Sequence, residues 1–484
     1  MRTKKNIPLT IIVVITCIFL LAIGFDISPY LRGPAPYPPE WQWPYLFVNT
    51  LDKVWVPGIV FVIQLVLITF ILKQKETWIS KNEKKVLCLF IFTGLLFQFA
   101  IIYFSRGGLA ILIHRIINPD LNGYFTASLQ ITNISDFLKN YNNTVLSLPQ
   151  HAQGHPPGAV LFYSLITFVS SLIPSPSVIQ TLEPKHEDVR IIWNTLSSVE
   201  KKSALISTVL IPLMSYLVVM PLFYLGKVLY NQKVALTAVI FYLFIPNIIL
   251  FSPLNDVFLA LFPLTAFLLF LKALKQESNL LLFTSGGVFF VGLFFSISVL
   301  PLLLLFLLLY ISNYKKEFFH KEVILKGFIF LAGLIVPVML LFTLFEFNFF
   351  EMMHTLLTGL PESREYTTWL FYNGYDFFVF LGIPFSIITL LLMKQLFTQF
   401  LKRKFKTIDV FSLSFFCMFI VLIISGTVRG EVGRIWLPFV PFLVLCISQF
   451  LQKQYAMTNR EIILLVSLQM LQILVMQEFW VPLW

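Results

Sequence analysis

The chain has 484 residues, 58% of them hydrophobic and only 12% charged, and a formal net charge of +11. So little charge cannot cover a soluble domain of that length, and apolar runs long enough to cross a bilayer recur from end to end. The composition describes an all-α integral membrane protein. It gives no reason to invoke nucleic acid, because the basic residues are placed as membrane topology requires.

In chain order, the basic cluster Met1–Lys5 precedes an apolar run at 7–25. This has the outline of a signal peptide. Its exit, Ala22-Ile23-Gly24-Phe25, lacks a small-x-small cleavage site, so the run is expected to stay as a first span. Residues 26–53 are rich in Pro, Trp and Tyr ("RGPAPYPPEWQWPY") and read as an aromatic belt at headgroup level. Spans follow near 54–72 and 86–105, and then a long segment, 106–203. Five more are expected at 204–225, 234–250, 254–271, 280–297 and 298–312, the last two divided at Ser296-Ile297-Ser298 and Pro301. A span at 324–345, a second loop at 346–375, and spans at 376–393, 408–427, 435–451 and 461–478 complete the chain. The total is about thirteen, in a range of twelve to fourteen, within one membrane domain. The four cysteines lie inside apolar runs, where they read as small packing residues.

Charge sets the orientation. Most of the 35 Lys and Arg fall in Met1–Lys5 and in six short clusters, Lys73–Lys85, Lys227–Lys233, Lys272–Lys275, Lys315–Lys326, Lys394–Lys406 and Lys453–Arg460. Thirteen spans put all of these in the cytoplasm with the N-terminus, as the positive-inside rule demands. A fourteenth span at Ala159–Ile173 would move five clusters outside, so that stretch is expected to be re-entrant or interfacial. The segments 26–53, 106–203, 346–375 and the turn Arg429–Arg434 then face outward, on a cell membrane.

Polar groups at the outer ends of spans are the candidates for chemistry, since they are costly there unless paired or wet. In "NPDLNGYF", Asn118-Pro119-Asp120 is expected to start a helix, with Asp120 at its positive end and Tyr124 one turn on along the same face. A plain helix cap is the alternative for Asp120. In "HAQGHPPGAV", His155 stands directly before Pro156-Pro157 at the start of the interfacial helix, with His151 four residues earlier. An exposed loop histidine is the alternative for each, and a His-x3-His metal pair without a third ligand has poor specificity. Asn255-Asp256 occupies a tight turn that needs no carboxylate. In "SGTVRGEVGRIWLPF", Arg429 and Arg434 offer a fork for phosphate, with Glu431 orienting Arg434 at i,i+3; a salt bridge internal to the turn is the alternative.

These residues, in this order, resemble the membrane glycosyltransferases of the GT-C superfamily that use polyprenyl-phosphate sugars, the protein O-mannosyltransferases and lipid A aminoarabinose transferases. The resemblance rests on an acid in a long outer loop, on His155-Pro156-Pro157, on Asp256 after a later span, and on the basic turn leading into "LPFVPF". It is nearer still to bacterial multi-pass proteins carrying "HPPG", "GEVGRIWLPF" and the stretch Arg364-Glu365-Tyr366-Thr367-Thr368-Trp369. It implies sugar transfer on the outer face from a polyprenyl-phosphate donor to a glycan, lipid or protein acceptor. In that scheme Asp120 is the base, and Arg429, Arg434 and His155 hold the phosphate. Asp256 supports the acceptor or a divalent cation, and the 346–375 loop, with Glu362, Arg364, Tyr366 and Trp369, forms either a lid over sugar or a solvated loop. The chain departs from the family in having a lone acid after the third span, which makes Asp136 a rival base. A transporter or flippase, and a polymerase or ligase of lipid-linked glycans, are the competing classes; the first predicts paired polar groups at mid-membrane and an internal repeat.

Overall fold

In hydrocarbon each backbone N–H and C=O must be satisfied within its own segment, which leaves helix as the open-chain solution. The computed structural model follows this rule over the residues it describes, 8–37, 40–47, 49–174, 187–358, 364–403 and 407–480. Among them no strand forms, and the one isolated bridge joins Tyr45 to Trp480. Met1–Lys5, Glu362, Lys404 and Lys406 lie outside the described residues.

Among the described residues eight helices are long and apolar enough to cross a membrane: Leu51–Leu72, Glu76–Phe104, Ser198–Leu229, Asn255–Gln276, Ile297–Glu317, Lys321–Phe345, Ile383–Leu401 and Asn459–Phe479. Shorter apolar helices occupy Leu9–Gly24, Gly158–Leu172, Gln232–Tyr242, Asn279–Phe295 and Val410–Ser425. The turn expected at Ser296 is present, with a 3-10 turn at Ile297–Val299 and the next helix starting at Leu302.

The expected span 204–225 steps at Val218 and 435–451 begins in a 3-10 turn; two others are broken more sharply. The first, 234–250, breaks after Tyr242 and resumes at Pro246. The second, 376–393, is cut at Gly382, so its first residues belong to the helix Tyr366–Leu381 and the following helix begins at Ile383 with Pro384 in its first turn. Gly382 has φ +99, and a side chain there would collide with Gln469. The polar groups freed by this break are taken up by glutamines: Gln469 Nε2 donates to Leu381 O at 2.9 Å, Gln472 Nε2 donates to Val379 O at 2.8 Å, and Ile383 N donates to Gln472 Oε1 at 2.7 Å. The 346–375 segment is therefore largely helical, at Phe349–Thr358 and from Tyr366 onward.

Contacts between distant segments sort into two groups. In one, Ser80 bonds Gln232, Lys227 pairs with Glu83, Lys275 bonds Val228 O, Lys326 pairs with Glu277, and Asn459 bonds Leu72 O. These ties join the lysine-rich turns to one another. In the other, Lys139 pairs with Glu346 at 2.9 Å, Asn142 bonds Glu351, Tyr375 bonds Leu31 O, and Thr50 bonds Glu478. These join the segments 26–53, 106–203 and 346–375. The helix Gly158–Leu172 belongs to this second group: Thr167 bonds Ser203 at one end, and Phe162 packs on Phe258 and Phe295 at the other.

Two expectations about apolar residues are corrected. Trp41 and Trp43 do not form a surface belt; they are buried, with Trp43 packed on Phe380 and its Nε1 donating to Asp376 at 2.6 Å. Cys17, Cys88 and Cys417 are exposed on the outside of their helices, and Cys446 alone among the four is a buried packing residue.

Candidate functional site

The turn 429–434 is built by its backbone. Gly430 and Glu431 adopt φ +100 and +57, which reverses the chain so sharply that several peptide groups lose helical partners. The helix Tyr366–Leu381 supplies them. Asn373 Nδ2 donates to Val428 O at 2.7 Å, Gly430 N donates to Asn373 Oδ1, and Gly433 N donates to Asp376 Oδ2 at 2.8 Å. From the opposite side Asn247 Nδ2 donates to Gly433 O. Asp376 thus ties the Trp43 segment to this turn.

Held in this way, Arg434 is 6% exposed. Its Nη2 donates to Glu431 Oε2 at 2.8 Å, the expected i,i+3 pair, and its Nη1 lies 3.8 Å from Asp256 Oδ2. Its Nε is buried with no partner among the described residues. Burial alone would lower the guanidinium's pKa, but Asp256 and then Glu431 raise it, so the cation is fixed. Asp256, 7% exposed, sits in the 3-10 turn Asn255–Phe258. That turn is anchored from below by Arg115, whose Nη1 donates to the carbonyls of Leu250, at 2.8 Å, and Ser252.

Arg429 is directed at another stretch. Its Nη1 donates to Arg364 O at 2.7 Å, and its guanidinium lies over the Tyr366 ring. Arg364 in turn lies over Trp41 and Trp369 and reaches Glu431 at 3.6 Å. Trp369 Nε1 donates to Glu40 at 2.5 Å. Trp369 is therefore buried and Arg364 half-buried, while Tyr366 stays exposed with its hydroxyl donating to Ile424 O at 2.7 Å.

The 118–155 stretch brings the remaining candidates. No helix starts at Asn118-Pro119-Asp120. Asn118 Oδ1 accepts from Asp120 N at 2.9 Å, Gly123 takes φ +70, and the helix begins only at Tyr124, so Asp120 and Tyr124 do not share a helical face. The local hydrogen bond from Asn118 outcompetes the helical one. Gly123 packs against Pro149, which brings Tyr124 beside His155, ring edge to ring face with centroids 5.3 Å apart. His155 Nδ1 donates to His151 O at 3.0 Å, leaving Nε2 with its lone pair, and the Tyr141 hydroxyl donates to His155 O. Burial lowers the His155 pKa, Asp256 opposes this and Arg434 adds to it. His151, half-buried, is pulled down to about 4 by burial and then by Arg434, against Glu431; its ring bonds the Asp120 carbonyl. Burial and then Asp256 hold the Tyr124 phenol well above its ordinary pKa.

Tyr124, His151, His155, Asp256, Glu431 and Arg434 thus influence one another's charge, while Asp120 joins the group through its backbone. The Asp120 side chain is exposed, and its carboxylate has no partner among the described residues. Asp136 is exposed in the first turn of Ile134–Lys139, on a segment whose Lys139 pairs with Glu346. Among the described residues no group of three or more His, Cys, Asp or Glu is placed to hold a metal ion, and Asp256 is paired with Arg434. Sequence reasoning passed over Asp376, Asn122 and Tyr163. The signal for Asp376 was present, a carboxylate inside an apolar run. The arrangement offers a dry fixed cation and a neutral imidazole, and Asp120, tied to the group by its backbone, carries an exposed carboxylate. The chain matches no protein-family model, and no curated protein is similar enough to it to count as a match.

Proposed function

We propose that this chain is a thirteen-span membrane glycosyltransferase of GT-C type in a cell membrane. It moves a sugar from a polyprenyl-phosphate donor to a glycan, lipid or protein acceptor on the outer face. The observation that carries the reading is the meeting of Tyr124, His155, Asp256 and Arg434, from widely separated stretches, in one buried group that Asp120 joins through its backbone at His151. The two-ended sorting of contacts supports the orientation, with the lysine-rich turns on the cytoplasmic side.

In this reading the donor phosphate replaces part of the Asp256 contact at Arg434, whose buried Nε supplies a further donor. Charge grows on the phosphate oxygen as its bond to the anomeric carbon breaks, and a guanidinium fixed beforehand in a dry site stabilises it at no cost of reorganisation. The acceptor hydroxyl attacks the opposite face of that carbon in a single inverting step, and its proton passes to Asp120. The sugar leaves on the acceptor, and polyprenyl phosphate remains. His155, neutral and with a lone pair at Nε2, accepts a hydrogen bond from substrate and is not a second cation on the phosphate. A transporter would use charged or coordinating groups at its helix breaks; here the Gly382 break is closed by uncharged glutamines.

The test uses the full chain in lipid nanodiscs with undecaprenyl-phosphate hexoses and pentoses carrying radiolabelled sugar, scored by release of undecaprenyl phosphate. Asp120→Asn should lower turnover by about 10²–10⁴ while leaving the unfolding midpoint unchanged. Full turnover in that variant removes Asp120 from the mechanism. No turnover of any donor by the wild type removes the reading itself.

A further inference from the structure

Beside the Asp256–Arg434 pair runs a chain of three uncharged groups. Asn122 Nδ2 donates to the Tyr163 hydroxyl at 2.8 Å, and that hydroxyl donates onward to Asn255 Oδ1 at 3.2 Å. The three come from different elements: the turn before the Tyr124–Leu129 helix, the Gly158–Leu172 helix, and the 3-10 turn that carries Asp256. Asn122 is 1% exposed and Asn255 5%. Tyr163 also lies within electrostatic reach of Asp256, so the chain borders the charged group.

The direction of these bonds leaves polar atoms over at both ends. Asn122 Nδ2 is used by Tyr163 and, at 3.4 Å, by Ile116 O, so its Oδ1 is the open acceptor. Asn255 Oδ1 is used by Tyr163, so its Nδ2 is the open donor. Both atoms are buried and without a partner among the described residues. Native proteins rarely leave buried amide atoms in that state unless water or a ligand completes them. Adjacent ring hydroxyls meet both needs, since each hydroxyl donates one hydrogen and accepts others. An ammonium group offers donors alone, so it leaves Asn255 Nδ2 unanswered. The neighbouring carboxylate that would otherwise welcome it, Asp256, is already paired with Arg434.

We infer that Asn122, Tyr163 and Asn255 form the sugar-reading wall of the site and select a neutral, hydroxylated sugar over an amino sugar. This rests on the reading of the chain as a polyprenyl-phosphate glycosyltransferase. A polar wall of this kind discriminates well, because a substrate that leaves its buried groups unpaired bears the full penalty.

Binding to the full chain in nanodiscs, followed by tryptophan fluorescence, tests it with four probes: bare undecaprenyl phosphate, its glucosyl and mannosyl esters, and its 4-amino-4-deoxyarabinosyl ester. The wild type should bind at least one neutral-sugar lipid ~10-fold or more tighter than the amino-sugar lipid. Asn255→Leu, which keeps the volume but loses the amide donor, should shrink that ratio to within ~3-fold. Tyr163→Phe, which opens the middle of the chain, should shrink it as well. Equal or tighter binding of the amino sugar by the wild type overturns the inference even if both variants fail to fold. So does a ratio that survives both substitutions. In either case binding of bare undecaprenyl phosphate shows that the parent reading stands; if none of the four probes binds, both fall together.

Discussion

The two ends of the helix assembly treat charge differently. At the lysine-rich end the ion pairs keep some access to water, the side chains being 20% and 81% exposed in Lys326–Glu277 and 33% and 16% in Lys227–Glu83. The other end has an exposed pair, Lys139–Glu346, but also a buried cluster. At the other end Arg434 and Asp256 are 8% and 10% exposed, with Glu431 at 17%. Exposed pairs cost little and contribute about 0–1 kcal/mol, whereas a buried pair seldom repays the desolvation of its members. Apolar side chains would fill the second space at lower cost. The difference teaches that the lysine-rich turns keep their charge in water, while the turn at 429–434 holds buried charges where apolar side chains would cost less.

The sharpest way to break that contrast is to remove Arg434. Arg434→Ala leaves Asp256 buried without a cation and should cost about 3–5 kcal/mol, read from the midpoint of reversible SDS unfolding. Arg434→Met combined with Asp256→Leu should recover most of the loss, because it deletes both charges, while the proposed sugar transfer stays abolished. If the single substitution costs under about 1 kcal/mol, the pair belongs with the exposed ones and the distinction between the ends disappears.

A smaller effect should appear with pH. An unfolded histidine takes its proton near 6.5, but His151 in the folded chain takes it only near about 4, and His155 is lowered too. Between those values the unfolded state binds more protons, so stability is full above about 6.5 and falls as the pH drops toward 4. Replacing both histidines by glutamine should flatten the slope between pH 7 and 5, above the range where most carboxylates titrate. Thermal unfolding followed across that range checks it; an unchanged slope means that the burial of these rings is not felt.

How much of this was legible in the sequence follows from the range of each interaction. Apolar runs report their own helices, so the membrane class and most helix positions could be read directly. Breaks inside them could not: Gly382 looks like any glycine until Gln469 and Gln472 arrive from a helix almost ninety residues later. Arg434, Asp256 and His155 stood out because each is a polar residue at the edge of an apolar stretch. Asn122 and Tyr163 did not, since neither is unusual alone and their bond spans 41 residues. The helix expected from Asn118 failed on local chemistry, where one side-chain hydrogen bond and a left-handed glycine moved its start to Tyr124.

The smallest effect belongs to the lysine-rich end, and it tests whether ion pairs there carry any stability. Glu277 ends the helix Leu261–Gln276 in the left-handed region, at φ +52, while its carboxylate reaches Lys326 at 3.8 Å. Glu277→Ala removes the pair and keeps the strained backbone, and should cost under about 1 kcal/mol, less still at high salt because the side chain is solvated. Glu277→Gly removes the pair but relieves the backbone, since glycine occupies this helix-ending conformation without a Cβ penalty. That gain, about 0.5–1 kcal/mol, should cancel or exceed the loss, so the glycine variant unfolds at the same midpoint as the wild type or slightly above it. A clear loss in both variants would mean that this pair is worth more than its exposure allows, and that the lysine-rich turns are held by charge as firmly as the candidate site is.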